Sequence, residues 1–513
     1  MPYPNTPGLL VSALARLRRT GSWAATRGFP WLAAAALAGY VLFLAAHTNA
    51  VARGSDSSGY LNSARLFAAG QLQARLRVPE ELGPANRLPR REEFTPLGFI
   101  PSTDPNRIIP TYPTGLPLHY AVAAGIFGWD AGPVLLELLA AAGAVWLTYL
   151  LARQLGVSPS LAAAGALTLA VFPVFLFTSI QALSDTLATT WSLAALCLAL
   201  RGRPSTPRAA AAGAAFAIAV LVRPTNLLFT PALLCLLGGN WRRLGAFVLA
   251  GVPGAAWFLL YNHHQYGGAF QSGYGDILSA FSPVHSLPTL RHFAWWLALL
   301  LPPLVLVLPV AAMLPGTAHR REAAALLLAF ATMTGFFLFY DISRGAWWYL
   351  RFLLPVIPAL IVTGLLGLEQ LARGPGARWP RAFRPMAALL LAGWALGNSV
   401  HWSRQLGVFG VRQQEQTYEH VARAARDRLP PDALLVTFTL SGALYYYTPF
   451  SILRGDVVPP ESFARYATGV RSAGRPMWAV LFEFEEEDVL RHHCPGNWEK
   501  LFAVANVGFW QLR

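Results

Sequence analysis

Arg53-Gly54-Ser55-Asp56-Ser57-Ser58-Gly59-Tyr60 follows the first long apolar segment of the chain directly, with Arg65 a few positions on. Small residues flank a single carboxylate. They let the backbone turn tightly and let a ligand come close. A carboxylate at a membrane edge can take the proton of an attacking hydroxyl. It can equally cap the helix that the pattern starts at Ser57 or Ser58. The choice between the two depends on the rest of the chain.

That chain has 513 residues, 55% hydrophobic and only 13% charged. Soluble domains carry about 25% charged residues, so this composition is that of a polytopic membrane protein. The net charge of +15 is almost all arginine; Lys500 is the only lysine. Much of it falls in short loops between apolar segments, where it sets topology, and nucleic acid is excluded as the partner. Cys197 and Cys235 lie inside apolar segments and Cys494 stands alone, so neither a disulfide framework nor a metal spacing follows. Arg16, Arg18, Arg19 and Arg27 precede the first apolar run, which is read as a retained helix rather than a cleaved signal.

A hydrocarbon core of about 30 Å needs roughly 20 apolar residues per helix. On that measure about eleven spans are predicted. They fall near 30–50, 131–152, 159–179, 184–200, 209–223, 225–238, 244–262, 292–314, 322–341, 351–372 and 385–402. With residues 1–29 in the cytoplasm, every cytoplasmic loop is basic. They hold Arg153; Arg201, Arg203 and Arg208; Arg242 and Arg243; Arg320 and Arg321; and Arg373, Arg378, Arg381 and Arg384. The transmembrane unit is then 30–402, and an odd number of spans leaves 403–513 outside.

Three long segments reach the outer side: 51–130, 263–291 and the tail. The first is too long for a simple connection. It contains a helix at 58–70, a polar stretch at 75–107, and Thr111-Tyr112-Pro113-Thr114-Gly115-Leu116-Pro117. The apolar piece 116–128 is too short to span and is expected in the interface. In the tail, helices at 412–428 and 460–473 alternate with strand-like runs at 433–438 and 478–484. This pattern predicts a small α/β domain. The acidic run at 483–488 reads as a solvated helix start, because consecutive acids cannot share one face.

Ionisable residues near a bilayer are costly and invite a functional reading. Asp56, Asp185, Arg223, Asp341, Arg344 and Arg351 all fall at outer helix ends, as do His263 and His264. Asp185 is a base or a first-turn acid. Arg223, before Pro224, holds a phosphate or marks a break. Arginine forks suit phosphate oxygens. Arg351 has no acid in the following turns, whereas Asp341 and Arg344 can pair with each other. Adjacent histidines point apart, which argues against a metal shared by His263 and His264.

Several stretches in order and spacing carry a family likeness: Asp56, Tyr60 and Ala64-Arg65; Tyr112–Pro117; Gln181–Asp185; Arg223-Pro224-Thr225; Tyr261–Tyr274; and Tyr349–Pro358. The chain resembles bacterial GT-C glycosyltransferases related to protein O-mannosyltransferases and aminoarabinose transferases. The resemblance covers about residues 30–400. It implies an all-α GT-C membrane fold of about eleven helices with a large first outer loop, in the bacterial inner membrane. It implies a polyprenyl-monophosphate sugar donor and a lipid, glycan or protein acceptor. It also implies inversion at the outer face, Asp56 as general base, and no metal or other cofactor. Donor phosphate contacts would be Arg351, Arg344 and Arg223. Substrate contacts would be Tyr60, Arg65, Tyr112, His263 and Tyr274. Many relatives carry Asp-Glu in the first loop, whereas Ser57 follows Asp56 here; Asp185 or Asp104 is then the candidate second carboxylate.

The alternatives are a flippase for a lipid or lipid-linked sugar, or a non-catalytic assembly subunit. A transporter should show similar halves, which the sequence lacks. The topology has its own check: reporter fusions in the 201–208 loop and in the tail should report opposite sides of the membrane, and equal sidedness would overturn it.

Overall fold

The computed structural model describes residues 33–85, 88, 90–200, 205–373 and 382–513. Segment 1–29 and Arg201, Arg203, Arg378 and Arg381, on which the orientation partly rests, lie outside the described residues. The chain is mostly helical. It begins with α1 (Ala33–His47) and α2 (Asp56–Ala68), followed by strands β1 (Ala74–Arg75), β2 (Phe99–Pro101) and β3 (Arg107–Pro110). The helical body comprises α3 (Gly115–Gln154), α4 (Pro159–Ala170), α5 (Pro173–Ser179), α6 (Ser184–Leu200), α7 (Thr206–Val222), α8 (Thr230–Leu237) and α9 (Trp241–Tyr266). It continues through α10 (Ser286–Leu300), α11 (Pro303–Val307), α12 (Pro309–Ala312), α13 (Arg320–Leu338), α14 (Ile357–Arg373) and α15 (Phe383–Gln405).

Among the described residues, four helices are long and apolar enough to cross a membrane, or five if the bent pair α4–α5 is one span. They are α3, α9, α13 and the continuous stretch Trp347–Arg373, which enters α14 through a 3₁₀ turn. α1, α6, α7 and Pro224–Leu237 are apolar but shorter. This is a multi-pass membrane protein. Prolines account for two departures from the expected spans. Segment 159–179 bends by 60° between α4 and α5, where Pro173 keeps Phe172 out of the helical region. Segment 292–314 breaks after α10 at Leu301, before Pro302 and Pro303. The piece 116–128 is the first half of α3, which turns at Gly128 with φ 79° before its longer half runs on.

The first loop carries a sheet that its polar composition hid. β1, β3 and β2 pair antiparallel in that order. The tail forms α16 (Val411–Arg428), β4 (Leu434–Thr437), α17 (Ser441–Tyr447), β5 (Ser451–Arg454), α18 (Pro460–Ser472), β6 (Met477–Phe482), α19 (Glu483–Asp488), β7 (Trp498–Val504) and β8 (Val507–Leu512). Its sheet order is β5-β4-β6-β8-β7. The first three strands are parallel and the last two pairings antiparallel. β4 and β6 are buried at every position, which is why they read as unbroken apolar runs. The expected α16, α18, β4 and β6 are all present, whereas α17, β5 and the closing hairpin escaped the pattern. Within the acidic run, Glu485 is buried and accepts from the Thr439 and Phe482 amides, while Glu487 and Asp488 stay exposed.

The tail and first loop share one core. Val51, Ala74, Phe94, Phe99 and Ile108 pack with the β4 and β6 side chains. A charged link runs beside this core. Arg53 donates to Gln181 at 2.9 Å and to Glu415 of α16 at 3.3 Å. Burial pushes the Glu415 carboxyl up to about 8, although Arg53 pulls it down. The folded chain therefore holds the Glu415 proton more tightly than the unfolded chain does. This contribution is complete below about 4.5 and is lost as pH rises through about 8. Glu415→Gln should remove the dependence. Melting curves from pH 5 to 9 should show the native protein losing stability relative to the variant; parallel curves would refute the assignment.

Candidate active site

Stretches from across the chain converge on one cavity of about 520 Å³. They include the start of α2, the Thr111–Thr114 turn, the start of α6, the Arg223 break, the end of α9, the end of α13 and the 3₁₀ stretch Trp347–Val356. Local sequence explains each placement. Asp56 opens α2, where a carboxylate complements the helix dipole. Asp185 occupies the same position in α6. Pro224 holds Arg223 in an extended conformation, which ends α7 and points the chain away from the helix. A side chain at Gly115 would strike the backbone of Leu221 and Val222, so the glycine lets the Tyr112–Thr114 turn sit directly against that break.

The polar end of the cavity is an interlocked set of charges. Arg351 Nη2 donates to Asp56 Oδ2 at 2.7 Å. Its other nitrogen, Nη1, lies 3.9 Å from Asp185 Oδ2. Arg223 pairs with the other oxygen of Asp185. The Tyr112 hydroxyl donates to Asp56 Oδ1 at 2.8 Å and lies 2.6 Å from Ser55 Oγ. The Tyr60 hydroxyl donates to Ser184 Oγ at 3.0 Å. Asp185 is 3% exposed and Asp56 33%, so Asp56 is the more accessible of the two carboxylates. Burial raises Asp56, but the charge and hydrogen bond of Arg351 and the Tyr112 hydroxyl outweigh it and hold the carboxyl below its ordinary value. Asp56 is thus an ionised acceptor at neutral pH. Burial and the Asp56 charge push Tyr60 up to about 12, so its phenol stays protonated. The other end of the cavity is aromatic and apolar, with Phe258, Phe281, Phe336, Phe337 and Phe352.

No family model matches the chain, and no curated protein matches it either. Solved structures do. ArnT from Cupriavidus metallidurans bound to undecaprenyl phosphate aligns over 94% of this chain and 98% of its own, with TM-score 0.60 and 16% identity. The arabinofuranosyltransferase AftD from Mycobacteria aligns over 94% of this chain and 40% of its own, with TM-score 0.54 and 15% identity. The oligosaccharyltransferase AglB from Archaeoglobus fulgidus, in complex with an inhibitory peptide and a dolichol-phosphate, aligns over 89% of this chain and 70% of its own, with TM-score 0.50 and 14% identity. All three are GT-C glycosyltransferases.

The chain has the GT-C glycosyltransferase fold.

Within this GT-C body, six of the ten residues singled out from sequence line the cavity: Asp56, Asp185, Arg223, Arg351, Tyr60 and Tyr112. Tyr274 is a seventh, with its ring 5.8 Å from that of Tyr112. Three are elsewhere. Arg344 pairs with Asp341 at 2.8 Å and lies 3.2 Å from His285. Arg65 stacks on Tyr446 at 3.4 Å and donates to its carbonyl, which ties α2 to the tail. His263 is exposed on the outer side of α9. Asp104 is exposed in the loop before β3, where its carboxylate accepts from the Asn106 amide. Arg351 is not unpaired, as its flanking sequence implied, because its partner is 295 residues away. Within the Tyr261–Tyr274 stretch the sequence reading singles out His263 and Tyr274, whereas the α9 residues that line the cavity are Phe258, Tyr261, Asn262 and Tyr266, whose helical spacing was the available signal.

The cap reading of Asp56 also gives way. Ser55 holds the cap position, and the Asp56 carboxylate faces Arg351 and Tyr112. Capping would make Asp56→Asn silent, since asparagine caps as well as aspartate. Ion pairing predicts that Asp56→Asn and Asp56→Ala both lose stability by about 1–3 kcal/mol, because Arg351 is left short of a counter-charge. Thermal unfolding of the two variants in nanodiscs separates the cases.

Proposed function

We propose that this protein moves a sugar from a polyprenyl-monophosphate donor to a hydroxyl of a lipid, glycan or protein, at the extracytoplasmic face of the bacterial inner membrane. The observation that carries the reading is Asp56: a reachable, ionised carboxylate at the polar end of a cavity whose other end is apolar. The undecaprenyl phosphate and dolichol-phosphate named with ArnT and AglB support the donor class. In this reading residues 30–402 form the catalytic unit, and 403–513 lie outside with the first loop.

The step balances. Asp56 and Asp185 offset Arg223 and Arg351, so the prenyl phosphodiester brings one net negative charge into the site. The bond between the anomeric carbon and the phosphate oxygen breaks, and the phosphate keeps the electron pair. The acceptor oxygen bonds the anomeric carbon from the opposite face, which inverts it, and its proton passes to Asp56. The leaving phosphate gains a second negative charge as Asp56 loses its own. The total is unchanged, so Arg351 can turn from the neutralised carboxyl towards the phosphate oxygens. Arg223 and Arg351 stabilise that developing charge. Asp185 holds both arginines in place.

Mass spectrometry of lipid-linked sugars and surface glycans in a deletion strain should identify the donor that accumulates and the product that disappears. Turnover with that donor should fall about 10²–10⁴-fold in Asp56→Asn, the usual worth of a general base. Arg344→Gln, outside the cavity, should keep it. A fully active Asp56→Asn enzyme would remove Asp56 as the base, and unchanged lipid and glycan profiles in the deletion strain would remove the reaction.

A further inference from the structure

Four helices join the Asp56 cavity to a second one. α6 carries Asp185 near one end and Leu200 at the other, α7 Arg208 and the Arg223 break, α9 Arg243 and Tyr266, and α13 Arg321 and Phe337. The first-named end of α6 and the last-named ends of α7, α9 and α13 line the Asp56 cavity. The opposite ends line a cavity of about 230 Å³. The 17 residues of α6 put the two roughly 25 Å apart, on opposite sides of the helical body.

The second cavity is walled by Arg208, Arg243 and Arg321 together with Leu200 and Leu237. Arg321 donates to the Cys235 carbonyl at 2.6 Å, at the end of α8. Gly238 follows with φ 68°, and its missing side chain leaves the space into which two guanidinium groups point. A Cβ placed there would lie 3.1 Å from Arg321 Nη2 and 3.8 Å from Arg243 Nη2. Among the described residues, neither arginine has a carboxylate at ion-pair distance. Glu322, which also lines the cavity, lies 3.9 Å from His319. Setting topology requires basic residues in these loops, but it does not require them to converge. Like charges aimed at one point call for an anion, and guanidinium forks match phosphate oxygens. The adjoining surface of α9 is apolar and open: Trp241 is 75% exposed and Leu249 72%. That strip offers hydrocarbon a place next to the cavity, with Trp241 at headgroup depth.

We propose that this cavity binds the phosphate of an anionic lipid, at the membrane face opposite the Asp56 site. The binding is independent of the sugar and acceptor handled there. Native mass spectrometry of the full chain, purified in mild detergent and offered equal dioleoylphosphatidylglycerol and dioleoylphosphatidylcholine, tests it. The wild type should retain phosphatidylglycerol by about tenfold over phosphatidylcholine, given the worth of each arginine near an anionic headgroup. Arg243→Gln/Arg321→Gln should lose that preference, and Arg243→Lys/Arg321→Lys should keep part of it. If the double glutamine variant does not fold, Arg243→Gln alone should still lower the preference. An unchanged preference in the glutamine variants would overturn the proposal. So would heat protection by inorganic phosphate equal to that by phosphatidylglycerol, which would assign the cavity to a free anion.

Discussion

The Arg351–Asp56 ion pair closes the longest loop of the site and fixes what the rest can do. Its partners are 295 residues apart, one on the first loop and one beside the last apolar aromatic cluster. A charge taken out of water at a helix end is expensive unless it is paired and hydrogen-bonded. Asp56 meets that condition with Arg351 and Tyr112, and Asp185 meets it with Arg223 and Arg351. The four charges are therefore mutually required. Deleting any one leaves a neighbour short of a counter-charge.

In the proposed reaction Asp56 faces two demands: it must stay ionised in a half-buried site, and it must accept a proton from the acceptor. Arg351 meets the first by holding the carboxyl low. A donor phosphate in that proposal would meet the second, because it would compete for the same guanidinium and return proton affinity to the carboxylate. The neutral phenols of Tyr60 and Tyr112 add hydrogen bonds without adding charge, so they do not upset the balance.

The sequence made the membrane class, the alternating tail and the outer-edge charges legible, because periodicity and composition report burial directly. It was less informative wherever a partner came from far away. Arg351 looks free in its local sequence because its partner Asp56 lies 295 residues away. Arg65 and His263 sit beside real site residues yet face elsewhere, since proximity in sequence does not fix the side of a helix. His263 is exposed, while Asn262 beside it lines the cavity. Helix breaks were legible where prolines mark them, as at Arg223, but the apolar count treated α4–α5 and α10–α12 as continuous. The loop sheet β1-β3-β2 was hidden because its strands have only two to four residues.

The tail is less an appendage than the outer wall of the site. Asn62 of α2 donates to the Gly442 carbonyl at 3.2 Å, Arg65 holds Tyr446, and Arg77 donates to the Thr448 carbonyl at 2.7 Å. The first two contacts fasten α2 to α17 and the third ties the chain after β1 to the residue just beyond α17, while Tyr112 and Arg351 hold the first turn of α2 from the cavity. Arg53 extends the same hold: it immediately precedes the Asp56 segment and reaches Gln181, which immediately precedes the Asp185 segment, and both are tied to α16 through Glu415. The two carboxylate-bearing segments are thus joined to the tail through the Arg53 guanidinium and its hydrogen bonds to Gln181 and Glu415. A displacement of α16 cannot leave their separation unchanged, so the geometry of the charge set is a property of the loop and tail as much as of the membrane helices.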